Sequence, residues 1–182
     1  EDILKGMYLL QEAEGTGHHK VQLMGSGVIL EEVIRGAELL KQDFNIDADI
    51  WSVTSFNLLH RNLKEVERHN RLHPTGEQKV AFVTTQLAGH EGPVVASTDY
   101  IREFAERVRA GIKADYTVLG TDGFGRSDSR ANLRRFFEVD RYHVVVAALN
   151  DLANEGKIGK EQVALAIEKY GINADAVPSW LR

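Results

Sequence analysis

Short apolar runs alternate along the chain with longer stretches whose apolar residues recur every three or four positions. Gly6 to Leu10 (GMYLL) and Val21 to Met24 (VQLM) are strand-like runs. They are separated by the polar turn Glu14 to Lys20, and the second is closed by Gly25-Ser26-Gly27. From Val28 to Phe44 the apolar positions Val28, Ile29, Val33, Ala37, Leu40 and Phe44 keep helical spacing, with Glu31 and Glu32 in an early turn where the helix dipole favours acids. Ala48 to Val53 reads as a buried strand. Phe56 to His69 reads as a helix through Phe56, Leu59, Leu63 and Val66, and Arg71 to Lys79 as a loop around Pro74 and Gly76. Val80 to Leu87 fits neither pattern cleanly.

Pro93 to Ser97 and Thr117 to Leu119 give further strands. Between them, Asp99 to Ile112 has the spacing of a helix with Ile101, Phe104, Ala105 and Val108 inward. After the glycine-rich loop Gly120 to Asp128 (GTDGFGRSD), three helices are expected over Ser129 to Phe137, Tyr142 to Asn154 and Lys160 to Tyr170. Strands alternating with helices predict a mainly parallel sheet covered on both faces. Only a short turn joins the first two runs, and a parallel crossover needs a dozen or more residues. The first strand is therefore expected to run antiparallel to the rest or to lie away from its sequence neighbour.

Composition narrows the class. The 182 residues are 43% hydrophobic and 27% charged, too apolar for a disordered chain. No run approaches the roughly 18 to 20 apolar residues of a membrane span. With no Cys there is no disulfide framework, Cys-zinc site or thiol nucleophile. Net charge is −5, which argues against general nucleic-acid binding, since phosphate contacts need a concentrated positive field. The chain starts Glu1-Asp2-Ile3 with neither an initiator Met nor a signal peptide, and processing, truncation or excision from a longer polypeptide is expected. One domain over residues 1–182 is expected, with 1–5 a linker remnant and 173–182 a C-terminal tail.

Two loops could carry chemistry. Gly25, Ser26 and Gly27 sit where a strand turns into a helix. That turn is either a tight connection or a cradle whose amides hold a phosphate, but Leu30 stands where a dinucleotide fingerprint needs its third glycine. Asp122, Gly123, Phe124, Gly125, Arg126, Ser127 and Asp128 lie where doubly wound folds bind ligands, beyond the carboxyl ends of strands. The bland reading is a loop that packs Phe124 and uses Asp128 or Ser129 to cap the next helix. Arg126, Arg130, Arg134, Arg135 and Arg141 form a basic cluster, with Arg130 and Arg134 on one helix face. It suits an anion or an acidic partner, or a solvated face paired with Glu138 and Asp140. The seven His form no HExxH pair, and His18-His19 reads as a solvated turn. No GxSxG elbow is present. The residues supply no complete active site.

Five segments carry a family resemblance: VQLMGSG (21–27), ADIWSVTSF (48–56), ASTDY (96–100), VLGTDGFGRSDSRANL (118–133) and FEVDRYHVVVAAL (137–149). They resemble the C-terminal domain of the homodimeric, bacterial-type pyruvate dehydrogenase decarboxylating component, which is itself transketolase-like. The resemblance implies a three-layer α/β/α sandwich around a five-stranded mixed sheet with its first strand antiparallel. It implies a parent enzyme that oxidatively decarboxylates pyruvate on thiamin diphosphate and magnesium and passes the acetyl group to lipoyl groups. Both cofactors would be bound by other domains and none by this one, which would be inactive alone and serve dimer and domain packing. Implied partners are the remaining domains of the same polypeptide, a homodimer partner and the dihydrolipoamide acetyltransferase complex. Neither nucleic acid nor membrane is expected, and the implied location is the bacterial cytoplasm. The alternative is a stand-alone anion-binding, small-ligand-binding or protein-interaction module.

Overall fold

The period-two alternation of the strands decides which side chains go to which layer. The computed structural model describes residues 2–182. Among these, five strands form one sheet: β1 (Met7–Gln11), β2 (His19–Gly25), β3 (Ile46–Val53), β4 (Val94–Ser97) and β5 (Tyr116–Leu119), in the spatial order β1-β3-β2-β4-β5. β1 pairs antiparallel to β3, with a register shift between Leu9 and Gln11, and the other pairings are parallel. The expected odd first strand is present, and it is displaced from its sequence neighbour as well.

Met24, Trp51, Val53, Val94, Ala96, Tyr116 and Val118 point to one face. There they pack with α2 (Phe56–Leu72), the short α3 (Phe82–Gln86) and α4 (Arg102–Glu106). Val21, Leu23, Ile46, Ala48, Ile50 and Val95 point to the other face, against α1 (Leu30–Phe44), α6 (Arg141–Asn154) and α7 (Lys160–Lys169). Two apolar layers thus sandwich the sheet. Every residue of β3 is buried, because both of its faces are covered. A seventh helix, α5 (Arg130–Phe136), sits over the strand ends, where Ile29, Phe137 and Val139 make a third, smaller cluster.

Chain direction reverses its lateral progress at β2. From β2 the chain crosses through α1 to β3 on one side. From β3 it returns through α2 to β4 on the other side. Connections leaving neighbouring strands in opposite directions open a crevice at their carboxyl ends.

Four expectations need correction. Asp99 to Ile112 is not one helix: α4 spans only five residues, and a 3-10 turn over Arg109–Gly111 follows. Ile101 is 44% exposed and not inward, since it caps α4 in extended conformation. The ambiguous stretch from Val80 contributes α3 after an extended start. Val28 belongs to a 3-10 turn ahead of α1 and is 60% exposed, not part of the buried stripe. α2 runs on to Leu72, beyond the expected His69. Asp2–Lys5 forms a 3-10 turn on which Ile3 C=O accepts from Thr54 Oγ1 at 2.8 Å, and Glu1 of the expected linker remnant lies outside the described residues.

Candidate functional site

The ends of β2, β4 and β5 are tied together by short polar links. Buried Ser26 Oγ donates to Thr98 Oγ1 at 2.7 Å, joining the turns after β2 and β4. Thr98 N–H donates to Leu119 C=O at 3.1 Å, and Thr121 Oγ1 donates to Asp99 C=O at 2.7 Å, joining β4 to β5. Gly25 lies under α1 so closely that a Cβ there would sit 2.8 Å from Leu30 Cα. The Gly-Ser-Gly turn is therefore first a packing device, and Gly27, at φ +55°, brings the backbone beside the Asp99 carboxylate.

A crevice of about 330 Å³ opens above this turn. Val28, Ile29, Leu133, Phe137 and Val139 give it an apolar floor, and Asp99, Arg126, Arg130 and Arg134 line it with charge. Gly123 and Gly125 of the glycine-rich loop form part of the rim. The crevice thus brings Val28 and Ile29, which follow the Gly-Ser-Gly turn, together with Gly123, Gly125 and Arg126, while Gly25, Ser26 and Gly27 themselves do not line it. Other members of the loop are elsewhere. Phe124 is 85% exposed, so the alternative in which the loop packs Phe124 does not hold for that residue. Asp128 accepts from Ser129 N–H at 2.6 Å and Asn132 Nδ2 at 2.8 Å, and those bonds hold its carboxyl below the usual range. Ser129 is the N-cap of α5, accepting from Asn132 N–H at 3.3 Å. Ser127 is exposed. Asp122 is structural: it accepts from Arg102 N–H at 2.9 Å, and its carbonyl accepts from Ser179 Oγ at 2.6 Å.

The arginine cluster is only partly as expected. Arg134 and Arg141 do not pair with Glu138 or Asp140. Both reach buried Glu32 of α1: Arg141 is bidentate at 2.9 Å and adds its backbone N–H at 2.9 Å, and Arg134 Nη1 donates at 2.7 Å. Burial alone would raise the Glu32 carboxyl, but the Arg141 hydrogen bonds and both guanidinium charges outweigh it and hold it low. Asp140 caps α6 and lies 2.7 Å from His143 Nδ1. Reading Glu31 and Glu32 as dipole acids missed this, and the only available signal was the spare arginines a hundred residues later. A second buried carboxylate, Asp49, is held by Ala13 N–H, Lys20 and His90 at 2.9, 2.9 and 2.7 Å. His18 is exposed, and His19 opens β2.

No three His, Asp or Glu side chains among the described residues converge as a metal cage. Among the described residues no helix is long and apolar enough to cross a membrane.

A family model, the transketolase-like TK C-terminal domain, matches residues 6–140. The chain belongs to that family. Among curated relatives, the pyruvate dehydrogenase E1 component of Pseudomonas aeruginosa is 56% identical over 176 residues, 96% of this chain and 20% of its own length. The E1 component of Escherichia coli K12 is 52% identical over 178 residues, 97% of this chain and 20% of its own. The chain therefore spans about a fifth of the length of these relatives. Among solved structures, transketolase from Campylobacter jejuni superposes with a TM-score of 0.55 at 19% identity, over 82% of this chain and 19% of that one. Leishmania mexicana transketolase gives 0.53 at 16%, over 84% and 18%. At such identities the agreement concerns the fold: the transketolase C-terminal sandwich with its antiparallel first strand.

Proposed function

We propose that this transketolase-like C-terminal domain is the non-catalytic end of a pyruvate dehydrogenase E1 component. The observation that carries this reading is 56% identity over 96% of the chain to a protein five times longer. In this reading the whole polypeptide oxidatively decarboxylates pyruvate and transfers acetyl to lipoyl groups of the dihydrolipoamide acetyltransferase complex, in the cytoplasm. In the same reading thiamin diphosphate and magnesium are bound by the other domains of that polypeptide. Residues 1–182 form one domain, with the tail from 173 folded back onto it. Its task is packing against the remaining domains and the homodimer partner. The exposed apolar residues Val28, Tyr100, Ile101 and Phe124 at the strand ends are the surface for that task.

Two measurements test it. The 182-residue chain given pyruvate, thiamin diphosphate and magnesium should release no carbon dioxide; turnover by the chain alone overturns the reading. The longer polypeptide with this domain deleted should lose its dimer in sedimentation, and an unchanged dimer removes the packing role.

A further inference from the structure

The geometry points to the crevice between β2 and β4 as a binding site for a small organic anion: a carboxylate or phosphate monoester on a short apolar body. Three independent observations meet there. The first is position. The crevice lies at the carboxyl ends of the strands where the chain's lateral progress reverses, and that is where open α/β sheets leave room for a ligand.

The second is charge. In a chain of net −5, three guanidiniums and one carboxylate line this space. Arg134 is satisfied by Glu32 at 2.7 Å. Arg126 and Arg130 differ: no carboxylate lies within salt-bridge distance of either among the described residues. The Arg126 guanidinium itself lies over the Phe136 ring at 4.4 Å, a ring it shares with Arg182 at 5.3 Å, and this contact leaves its positive charge in place. With no salt-bridged carboxylate of their own, these two exposed guanidiniums keep a positive field at the rim of the crevice, part of which Asp128 offsets at Arg126.

The third is the floor. Ile29, Phe137 and Val139 are buried in their own apolar cluster, and their upper surface, with Leu133, forms the base of the crevice. A site for a bare inorganic ion has no use for that base, whereas a three- to six-carbon body would cover it. Asp99, beside Gly27, is placed to accept from a hydroxyl on the same ligand. The volume of about 330 Å³ suits a metabolite-sized anion and is at the low end for drug-sized ligands. This assignment adds ligand binding to a domain otherwise assigned to packing. It stands on the crevice alone, so failure of the E1 reading does not remove it.

The test is calorimetric titration of the 182-residue chain at fixed ionic strength with butanoate, phenyl phosphate, inorganic phosphate and phenol. Phenyl phosphate or butanoate should bind more tightly than either inorganic phosphate or phenol. Arg126→Gln with Arg130→Gln should weaken binding at least about tenfold, the scale of a lost charge-assisted contact. Both side chains are exposed, and unchanged circular dichroism verifies the fold. Gly125→Phe is a second, uncharged variant. A Cβ at Gly125 meets nothing within 4 Å, so the added bulk is tolerated at a residue that lines the crevice. Three results overturn the proposal: flat heats with both organic anions at 10 mM (about a hundredfold above the affinity scale of a useful site), equal binding of phenol and phenyl phosphate, or undiminished affinity in both variants. A double variant that loses only dimerisation in the longer polypeptide, with anion binding intact, assigns the arginines to an acidic protein surface and also overturns it.

Discussion

Glu32 and Asp151 are both buried carboxylates on helices of the same face, yet they respond oppositely to pH. Glu32 accepts from two arginines and a backbone N–H, so its charged form is favoured and its carboxyl is held low. A depressed folded value contributes stability that is present above the unfolded value, near 4.3, and lost as pH falls through the folded one. Glu32→Gln should cost about 2 kcal/mol in urea unfolding at pH 7, below the full penalty of a broken buried pair because Arg134 and Arg141 can still reach water. The cost should shrink as pH drops below about 4. A deficit that stays constant down to pH 3 would refute the charge argument. Asp151 Oδ1 accepts from Thr117 Oγ1 at 3.0 Å, and its Oδ2 is buried without a hydrogen-bond partner among the described residues. Burial pushes its carboxyl up, and Asp115 and Glu155 add to the push against the opposing Thr117 and Asn150 side chains. The native state therefore holds a proton that the unfolded chain releases near pH 4, and stability falls as pH rises through the raised value. Asp151→Asn imitates the neutral acid. Its melting temperature should exceed that of the parent at pH 8, with the gap closing towards pH 4.5. A gap independent of pH would show that shape, not charge, is responsible.

At the scale of elements, strands were the most legible because alternation and burial coincide. Val21, Leu23 and Met24 already define two faces in a four-residue run, and β2 to β5 appear where the apolar runs lie. Segments set by long-range contacts were not legible. Asp99 to Ile112 has helical spacing, but Gly120 packs against Arg102 N and Tyr100 C=O, and Arg102 N–H goes to Asp122. Those tertiary bonds hold the start of the segment extended, and propensity yields to them. In the candidate site, the glycine loops were legible as turns. The crevice was not, because it needs Asp99, Leu133 and Val139 from three further segments. Gly123 shows the same dependence on distant chain. It sits at φ +108°, and a Cβ would lie 2.6 Å from Ser179 C=O and 3.2 Å from Trp180 Cα. Gly123→Ala must therefore displace the C-terminal turn over Ser179–Leu181 as well as adopt an unfavourable backbone, at a cost of about 1–3 kcal/mol. Amide exchange at Leu181 and Arg182 should accelerate while β2 and β4 stay protected. Unchanged exchange in the tail would mean that the contact does not hold it.

For the whole molecule, the two apolar layers and the exposed strand ends separate folding from assembly. Both main clusters are closed within this chain, the sheet's inner strands are covered on each face, and Met7 through Ala166 contribute to burial. That predicts cooperative unfolding of the 182-residue chain without the rest of a longer polypeptide. The strand-end surface has no such closure: Tyr100, Phe124 and Val28 are each at least 60% exposed, far more than their apolar character favours. If the packing role is correct, this surface is the part of the molecule that a neighbour changes. Backbone amides from Tyr100 to Ile101 and from Asp122 to Asp128 should exchange at least about tenfold more slowly in the longer polypeptide than in the isolated chain, while β3 exchanges equally in both. Tyr100→Ser with Phe124→Ser should leave the isolated chain's melting temperature nearly unchanged and weaken association of the longer polypeptide by about 1–3 kcal/mol per buried aromatic. Equal exchange in both contexts, with undiminished association of the variant, would leave these aromatics solvent-facing in the assembly and move the packing surface to another part of the domain.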